Sequence, residues 1–390
     1  MKKALLAPLI AGICLLTGCA EAPDQVKENM KDYGVNEQIV LDNVTYCTPA
    51  ELKNITPDTL TYHPKNLILP DKIDFSDVED VGLVTFCSKE NFSVNKEDFA
   101  AQIGVVSPKW TKGDTAEAGW DFQTDDTSGY ILENGRFAFF SGKYEKYVAD
   151  ENYPEITNRI YLGRESCPDI TCNLNGTSTS LQQVIDSADE WIDEFPYLDG
   201  ELTYKIRTAY IRHDNAGNDY VELFYQPMYK GVGLSYITHL MDSNVMGSIV
   251  IVAMSSGLSV NIESPGTIST CVTQLNPDVV KEEMADKVID FDSALKLAEE
   301  KLSGFNRLKV AEVRIEYVLK PIYNPDKQSP YGEHITMEAR PVYTFYIPCE
   351  HEENNYEYGI IEANGLVYVN VDMLDGTVTD NFSVNSFHGN

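Results

Sequence analysis

From residue 176 to the C-terminus the sequence states one pattern twice, and a repeat constrains a fold more tightly than composition does. In the first copy, "SLQQVIDSADEWIDEF" sets Leu181, Val184, Ile185, Ala188, Trp191, Ile192 and Phe195 along one helical stripe, with Ser178 or Ser180 as N-cap. In the second, "DFDSALKLAEEKL" does the same with Ala294, Leu295, Leu297, Ala298 and Leu302, capped by Asp290 or Asp292 and stopped by Gly304. Each helix leads to an alternating strand, "ELTYKIRTAYIRHD" or "LKVAEVRIEYVLK". A shared phrase follows, "LFYQP" at 223–227 against "TFYIP" at 344–348. Hairpins come next, the first turning at Ser256-Gly257 and the second at Asn364-Gly365, and "VNIES-PGTI" aligns with "VNVDMLDGTV" across one gap. The expected fold class is therefore α+β: tandem modules of about 100 residues, each an antiparallel sheet with one helix packed on a face. The other face of each sheet is left to pack on a neighbour or to bind something.

The alanine-leucine helix, the aromatic phrase "PVYTFYIP" and the closing strand "VNVDMLDGTVTDN" resemble the PepSY domain and the YycH/YycI-type regulators of Gram-positive sensor kinases. The resemblance covers 279–390 best and 176–278 more weakly. It is a pattern of small elements and not a catalytic signature. Such families imply protease inhibition, kinase regulation or ligand sensing at the cell surface. YycH/YycI-type regulators are held by a transmembrane helix, whereas this chain points to a lipid.

That lipid follows from the N-terminus. Lys2 and Lys3 precede an apolar run from Ala4 to Leu16, too short to span a bilayer, which reads as a signal peptide over 1–18. The stretch "LTGC", Leu16 to Cys19, resembles the lipobox of bacterial lipoproteins, in which the cysteine thiol takes a diacylglyceryl group and the chain is cut just before it. The combination also resembles uncharacterised lipoproteins of Clostridia-type bacteria. Acyl chains at about 0.8 kcal/mol per buried methylene anchor without spanning. Residues 19–38 then read as the lipidated Cys19 and a polar tether.

Residues 39–175 read as an N-terminal β-rich domain, with a helix at "NKEDFAAQIG" and a hairpin turning on Asn134-Gly135 that resembles "IIEANGLVYV", as in a third, eroded copy. Pro154, Pro168 and "NLNGTSTS" mark 149–178 as a linker. Modules follow at 176–278 and 279–390.

Composition narrows the function classes. With 30 basic against 61 acidic residues the net formal charge is −31, which disfavours nucleic acid and anionic lipid surfaces and favours, if any charge partner, a cation or a basic protein. Cys47, Cys87, Cys167, Cys172, Cys271 and Cys349 remain after the signal and the lipid site; only Cys167 and Cys172, in "CPDITC", are spaced as a local disulfide, and free thiols are the alternative. Their spacing is not that of a zinc or redox motif. The acidic loops "DNAGND" and "DFQTDDTSGY" offer oxygens for calcium but lack EF-hand spacing, and both read more simply as turns.

The sequence contains no G-x-S-x-G, H-E-x-x-H, P-loop or complete G-x-G-x-x-G, and its six histidines are scattered. No catalytic residue, metal site or cofactor is assigned. Phe224, Tyr225, Tyr343, Phe345 and Tyr346 are the candidate binding residues, since aromatic rings can line a peptide or sugar groove. Alternation along a strand assigns at least half of them to the core. The expectation is a non-enzymatic protein, lipid-anchored through Cys19 to the outer face of the bacterial membrane, that contacts a membrane or cell-wall protein or peptide. The alternative is a small-molecule or glycan-binding lipoprotein.

Overall fold

The computed structural model describes residues 44–89, 95–113, 119–133, 135–141, 155–163, 166–198, 200–235, 258–273, 276–304, 307–322, 336–348 and 366–380. The signal and tether, the Ser256-Gly257 and Asn364-Gly365 turns and Cys349 lie outside these residues. The fold is α+β and mostly sheet. In chain order, β1 (Tyr46–Cys47), the short helix α1 (Pro49–Leu52), β2 (Leu67–Ile68) and β3 (Gly82–Ser88) lead to α2 (Lys96–Gln102). Then come β4 (Lys109–Lys112), β5 (Gly119–Gln123), β6 (Thr127–Leu132), β7 (Phe137–Ser141), β8 (Glu155–Ile160), β9 (Thr171–Leu174) and β10 (Thr177–Ser180), which runs directly into α3 (Leu181–Glu194). After α3 follow β11 (Thr203–His213), β12 (Asp219–Tyr229), β13 (Val232–Leu234), β14 (Leu258–Ser264), β15 (Thr267–Thr273), β16 (Pro277–Met284) and β17 (Val288–Ile289). The chain continues through α4 (Phe291–Lys301), β18 (Leu308–Lys309), β19 (Glu312–Ile322), β20 (Thr336–Pro348), β21 (Leu366–Asp372) and β22 (Val378–Asp380).

Both long helices begin where side-chain oxygens satisfy orphan N–H groups. Ser180 caps α3, exchanging bonds with Gln183, and Asp290 caps α4 by accepting from the Ser293 N–H at 2.8 Å. Each then buries its apolar stripe against strands. The first core joins Leu181, Val184, Ile185, Ala188 and Ile192 of α3 to Ala209, Ile211, Val221, Leu223, Tyr225, Val260 and Ile262. The second joins Phe291, Ala294, Leu295, Leu297 and Ala298 of α4 to Val313, Ile315, Tyr343, Phe345, Val369 and Val371.

The described part of 39–175 is divided between these cores. Leu52, Phe75 and Phe86 belong to the second core, while Phe99, Phe122, Phe137 and Leu174 belong to the first. Nor are the described residues of 149–178 a linker. Strand β8 pairs with β11, and β9 and β10 form a hairpin whose turn, Asn175-Gly176, has both φ angles positive, 48° and 80°. The Pro and Asn/Gly signals mark strand ends, which a reading by composition cannot tell from a connector.

Strand pairing runs β4-β5-β6-β7-β15-β14-β12-β11-β8, every neighbour antiparallel. The end of β12 turns into β13, whose far edge pairs in parallel with β19, so the sheet continues through β19-β20 into β21-β22 and β3-β16. It curls sharply. From β19 to β8 by way of β13, β12 and β11 a flat sheet would measure about 19 Å, yet a Cβ on Gly163, just past β8, would stand 2.8 Å from Glu312 Oε1 on β19. The faces turned away from the helices therefore oppose each other.

Register corrects the sequence alignment of the two halves. Leu223 pairs with Val260 and Phe345 pairs with Val369, so Leu223 corresponds to Phe345 and Tyr225 to Ile347, one residue off the match of "LFYQP" to "TFYIP". In a period-two element that single step decides which face a side chain occupies.

Candidate functional site

The face opposite the helices is buried and polar. On β11, Arg207 Nε donates to Gln226 Oε1 on β12 (2.7 Å), and Gln226 Nε2 donates both to the Leu234 carbonyl (2.9 Å) and across β13 to Glu316 Oε1 on β19 (2.8 Å). Tyr346 on β20 donates to Glu316 Oε2 (2.7 Å). Arg314 grips Glu312 with two bonds of 2.7 Å, its guanidinium 4.9 Å from the centre of the Tyr346 ring. Gln226 and Glu316 are 0% exposed. Two arginines meet two glutamates, so the charges balance, and this seam locks the two halves together without offering an unpaired reactive group. Gly233 makes it possible: a Cβ there would lie 2.5 Å from the Gln226 carboxamide, blocking its path over β13.

The aromatic candidates separate by face. Tyr225, Tyr343 and Phe345 are core residues at 1%, 0% and 0% exposure. Tyr225 donates to Asp189 on α3 (2.7 Å), Tyr343 donates to the Ile289 carbonyl (2.8 Å), and Phe345 stacks on Phe291 with centroids 5.9 Å apart. Burial, with Asp189 and Asp193 close by, pushes the Tyr225 phenol far above its ordinary pKa. These three face the helices and line no groove, because alternation turns them inward. Tyr346 belongs to the seam, and Phe224, half-buried, packs 5.2 Å from the Tyr210 ring. Cys167 and Cys172 are free thiols and not a disulfide; burial pushes Cys172 up to about 11, with Asp219 and Cys167 adding to the shift. Cys47, Cys87 and Cys271 are free too.

Both acidic loops are hairpin turns. Asp214 accepts from the Ala216 and Asn218 N–H groups at 2.9 and 2.8 Å, and 121–130 is the β5-β6 connection tied by Thr124. Among the described residues no three His, Cys, Asp or Glu side chains gather as metal ligands, and no helix is long and apolar enough to cross a membrane.

A surface cavity of about 480 Å³ opens between the start of α3 and the β14-β15 turn. Its walls are Ser178 and Thr179 from β10, Gln183, Asp186 and Ser187 from α3, and Pro265 opposite, over Val184 and Ile262. The β9-β10 register decides which backbone groups are free. Leu174 and Thr177 close the two-residue turn, so Ser178 sits at a position whose N–H and C=O point away from β9. Consistently, its partner Asn173 gives its N–H to Asp219 (2.7 Å) instead.

The second half closes the same place. Counting from the N-caps, Thr179 corresponds to Ile289, Asp186 to Lys296 and Ser187 to Leu297. There the Ile289 N–H donates to the Met373 carbonyl (2.8 Å), and a Cβ on Gly376 would meet Ile289 Cδ1 at 3.1 Å and Leu297 Cδ1 at 3.4 Å. Two aliphatic side chains fill the gap between helix and turn. In the first half two hydroxyl residues leave it open. Sequence reasoning missed this groove, although the aligned pair of helices contains the signal.

No family model matches the chain, and no curated protein matches it. Among solved structures, an uncharacterised protein from Eubacterium rectale is similar, with a TM-score of 0.52 over 80% of this chain and 90% of that one at 16% identity. At that identity the likeness concerns the fold alone.

Proposed function

We propose that this protein is a lipid-anchored extracytoplasmic binding protein, non-catalytic, that holds a protein or peptide partner near the membrane. The anchor rests on the lipobox-like "LTGC" with Cys19. The observation that carries the binding role is the groove beside α3: an unfilled, hydroxyl-lined cleft next to a helix bearing Asp186, Asp189, Glu190, Asp193 and Glu194 and no lysine or arginine. None of the five is in an ion pair among the described residues, and two, Asp193 and Glu194, lie in the last turn, where the helix dipole disfavours anions. An acidic surface left uncompensated in this way suits a basic partner. No aromatic side chain lines the groove, which removes the ring stacking that glycan recognition would use.

The two halves we take to be tandem copies of one PepSY-like module. What supports this is the shared order of helix, two long strands and a hairpin, the equivalent N-caps, and the Leu223–Val260 and Phe345–Val369 pairings.

In-cell crosslinking of the lipidated protein followed by mass spectrometry tests the function, with Cys19→Ala as the location control. One dominant membrane or cell-wall protein, lost in the control, is the expected result. Capture of abundant neighbours alone, unchanged in Cys19→Ala, would overturn it.

A further inference from the structure

Resting on that partner-binding reading, we infer that the groove takes a lysine side chain presented by an extended peptide, which docks along the free edge at Ser178. Three independent features meet there. The Ser178 N–H and C=O are turned away from β9 on a residue that lines the cleft, and they offer an incoming strand two hydrogen bonds. Val184 and Ile262 stand at the base of the cleft, closely packed at 2% and 1% exposure, so a methylene stem would rest on a dry, nonpolar base. Asp186 stands on the wall, positioned by Gln182 Nε2 at 2.8 Å, and can receive the ammonium group.

The second half indicates what fits. At the equivalent place it supplies its own aliphatic groups, Ile289 and Leu297, with Lys296 beside them on α4. The first half has Thr179, Ser187 and Asp186 in those positions, so it lacks the apolar filling and carries the opposite charge. An occupant bringing both an aliphatic stem and a cation supplies what the substitutions removed. A lysine does so in one residue. Acidic and purely apolar peptides lack one of the two parts.

The test is fluorescence anisotropy with a labelled octapeptide of alternating lysine and threonine, titrated with the full-length chain in detergent at low salt, beside the glutamate-threonine peptide. The lysine peptide binds and the glutamate peptide does not. Ser187→Leu, which rebuilds the Leu297 filling, weakens binding at least tenfold while the melting temperature holds or rises. Ser178→Pro removes an N–H that the hairpin does not use and weakens binding about fivefold, the worth of one hydrogen bond. Absence of binding to the wild-type chain, or equal binding by Ser187→Leu, overturns the inference. A partner captured in cells as efficiently by Ser187→Leu as by wild type also sinks it while leaving the broader reading intact. Loss of all specific capture by the wild type sinks the reading itself.

Discussion

Helices α3 and α4 lie on equivalent parts of one curled sheet, yet the segment before β3 bonds across α4, while among the described residues no such segment bonds across the outer face of α3. The segment before β3 lies across α4. Thr45 N–H donates to Ser293 Oγ (3.0 Å), the Thr61 and Tyr62 N–H groups donate to Asp292 (3.1 and 3.2 Å), and the Tyr62 hydroxyl with the Lys65 and Asn66 N–H groups converges on Glu299. Counting from the caps, Glu299 corresponds to Asp189, which accepts from Tyr225 of its own core. One half uses a helix carboxylate internally, and the other leaves the carboxylates beside its counterpart to solvent. The contrast at Leu297 and Ser187 follows the same rule: one copy is filled, the other is open.

Breaking the seam has the largest expected effect. Glu316→Ala leaves Gln226, Tyr346 and Arg314 facing a buried void and costs about 3–5 kcal/mol. Because the seam spans both halves, chemical denaturation should show one cooperative transition moved to lower denaturant; two separated transitions would mean that the halves are independent. Gly233→Ala pushes the Gln226 carboxamide aside and costs about 2–3 kcal/mol by the same assay, without touching either helix.

Glu299→Gln sharpens the comparison of the helices. Partial burial works against the carboxylate charge, but the Tyr62 hydroxyl and the Asn66 and Lys65 N–H groups outweigh it and hold Glu299 below the ordinary glutamate range. A carboxyl whose folded value is lowered stabilises the fold above its unfolded value, and the benefit disappears as pH falls through the folded value. The variant should therefore lose about 1–3 kcal/mol at pH 7, with the difference shrinking below pH 4 in denaturation curves taken across pH. A pH-independent difference would mean that packing and not charge is at work. Smallest is Ser187→Leu, which should gain about 1 kcal/mol by burying its own side chain between α3 and the β14-β15 turn; a loss would show that the cleft cannot close as it does around Leu297.

How far this was legible in the sequence depended on range. Ser180 and Asp290 as caps, the stripes of α3 and α4 and the hairpin joining β6 to β7 around Gly135 follow from local chemistry and are present. The aromatic phrases misled because "FY" recurs on opposite faces: Tyr225 points into the first core, Tyr346 into the seam. Shared letters outweighed phase, and the cross-strand register, a long-range property, was needed to restore it. Likewise the turns at Pro265-Gly266 and Asp375-Gly376 were visible inside the aligned closing strands but not as the hairpin ends they are. The seam could not be read at all, since Arg207, Gln226, Arg314 and Glu316 come from three strands that only the β13 crossover brings together.

One half keeps open a backbone edge that the other closes, and amide hydrogen exchange reads the difference directly. The Ser178 N–H should exchange at a rate near that of an exposed peptide, while the Ile289 N–H, one position further along by the count from the caps and bonded to Met373, should be protected to the level of the surrounding core. Equal strong protection of Ser178 and Ile289 would mean that both edges are closed.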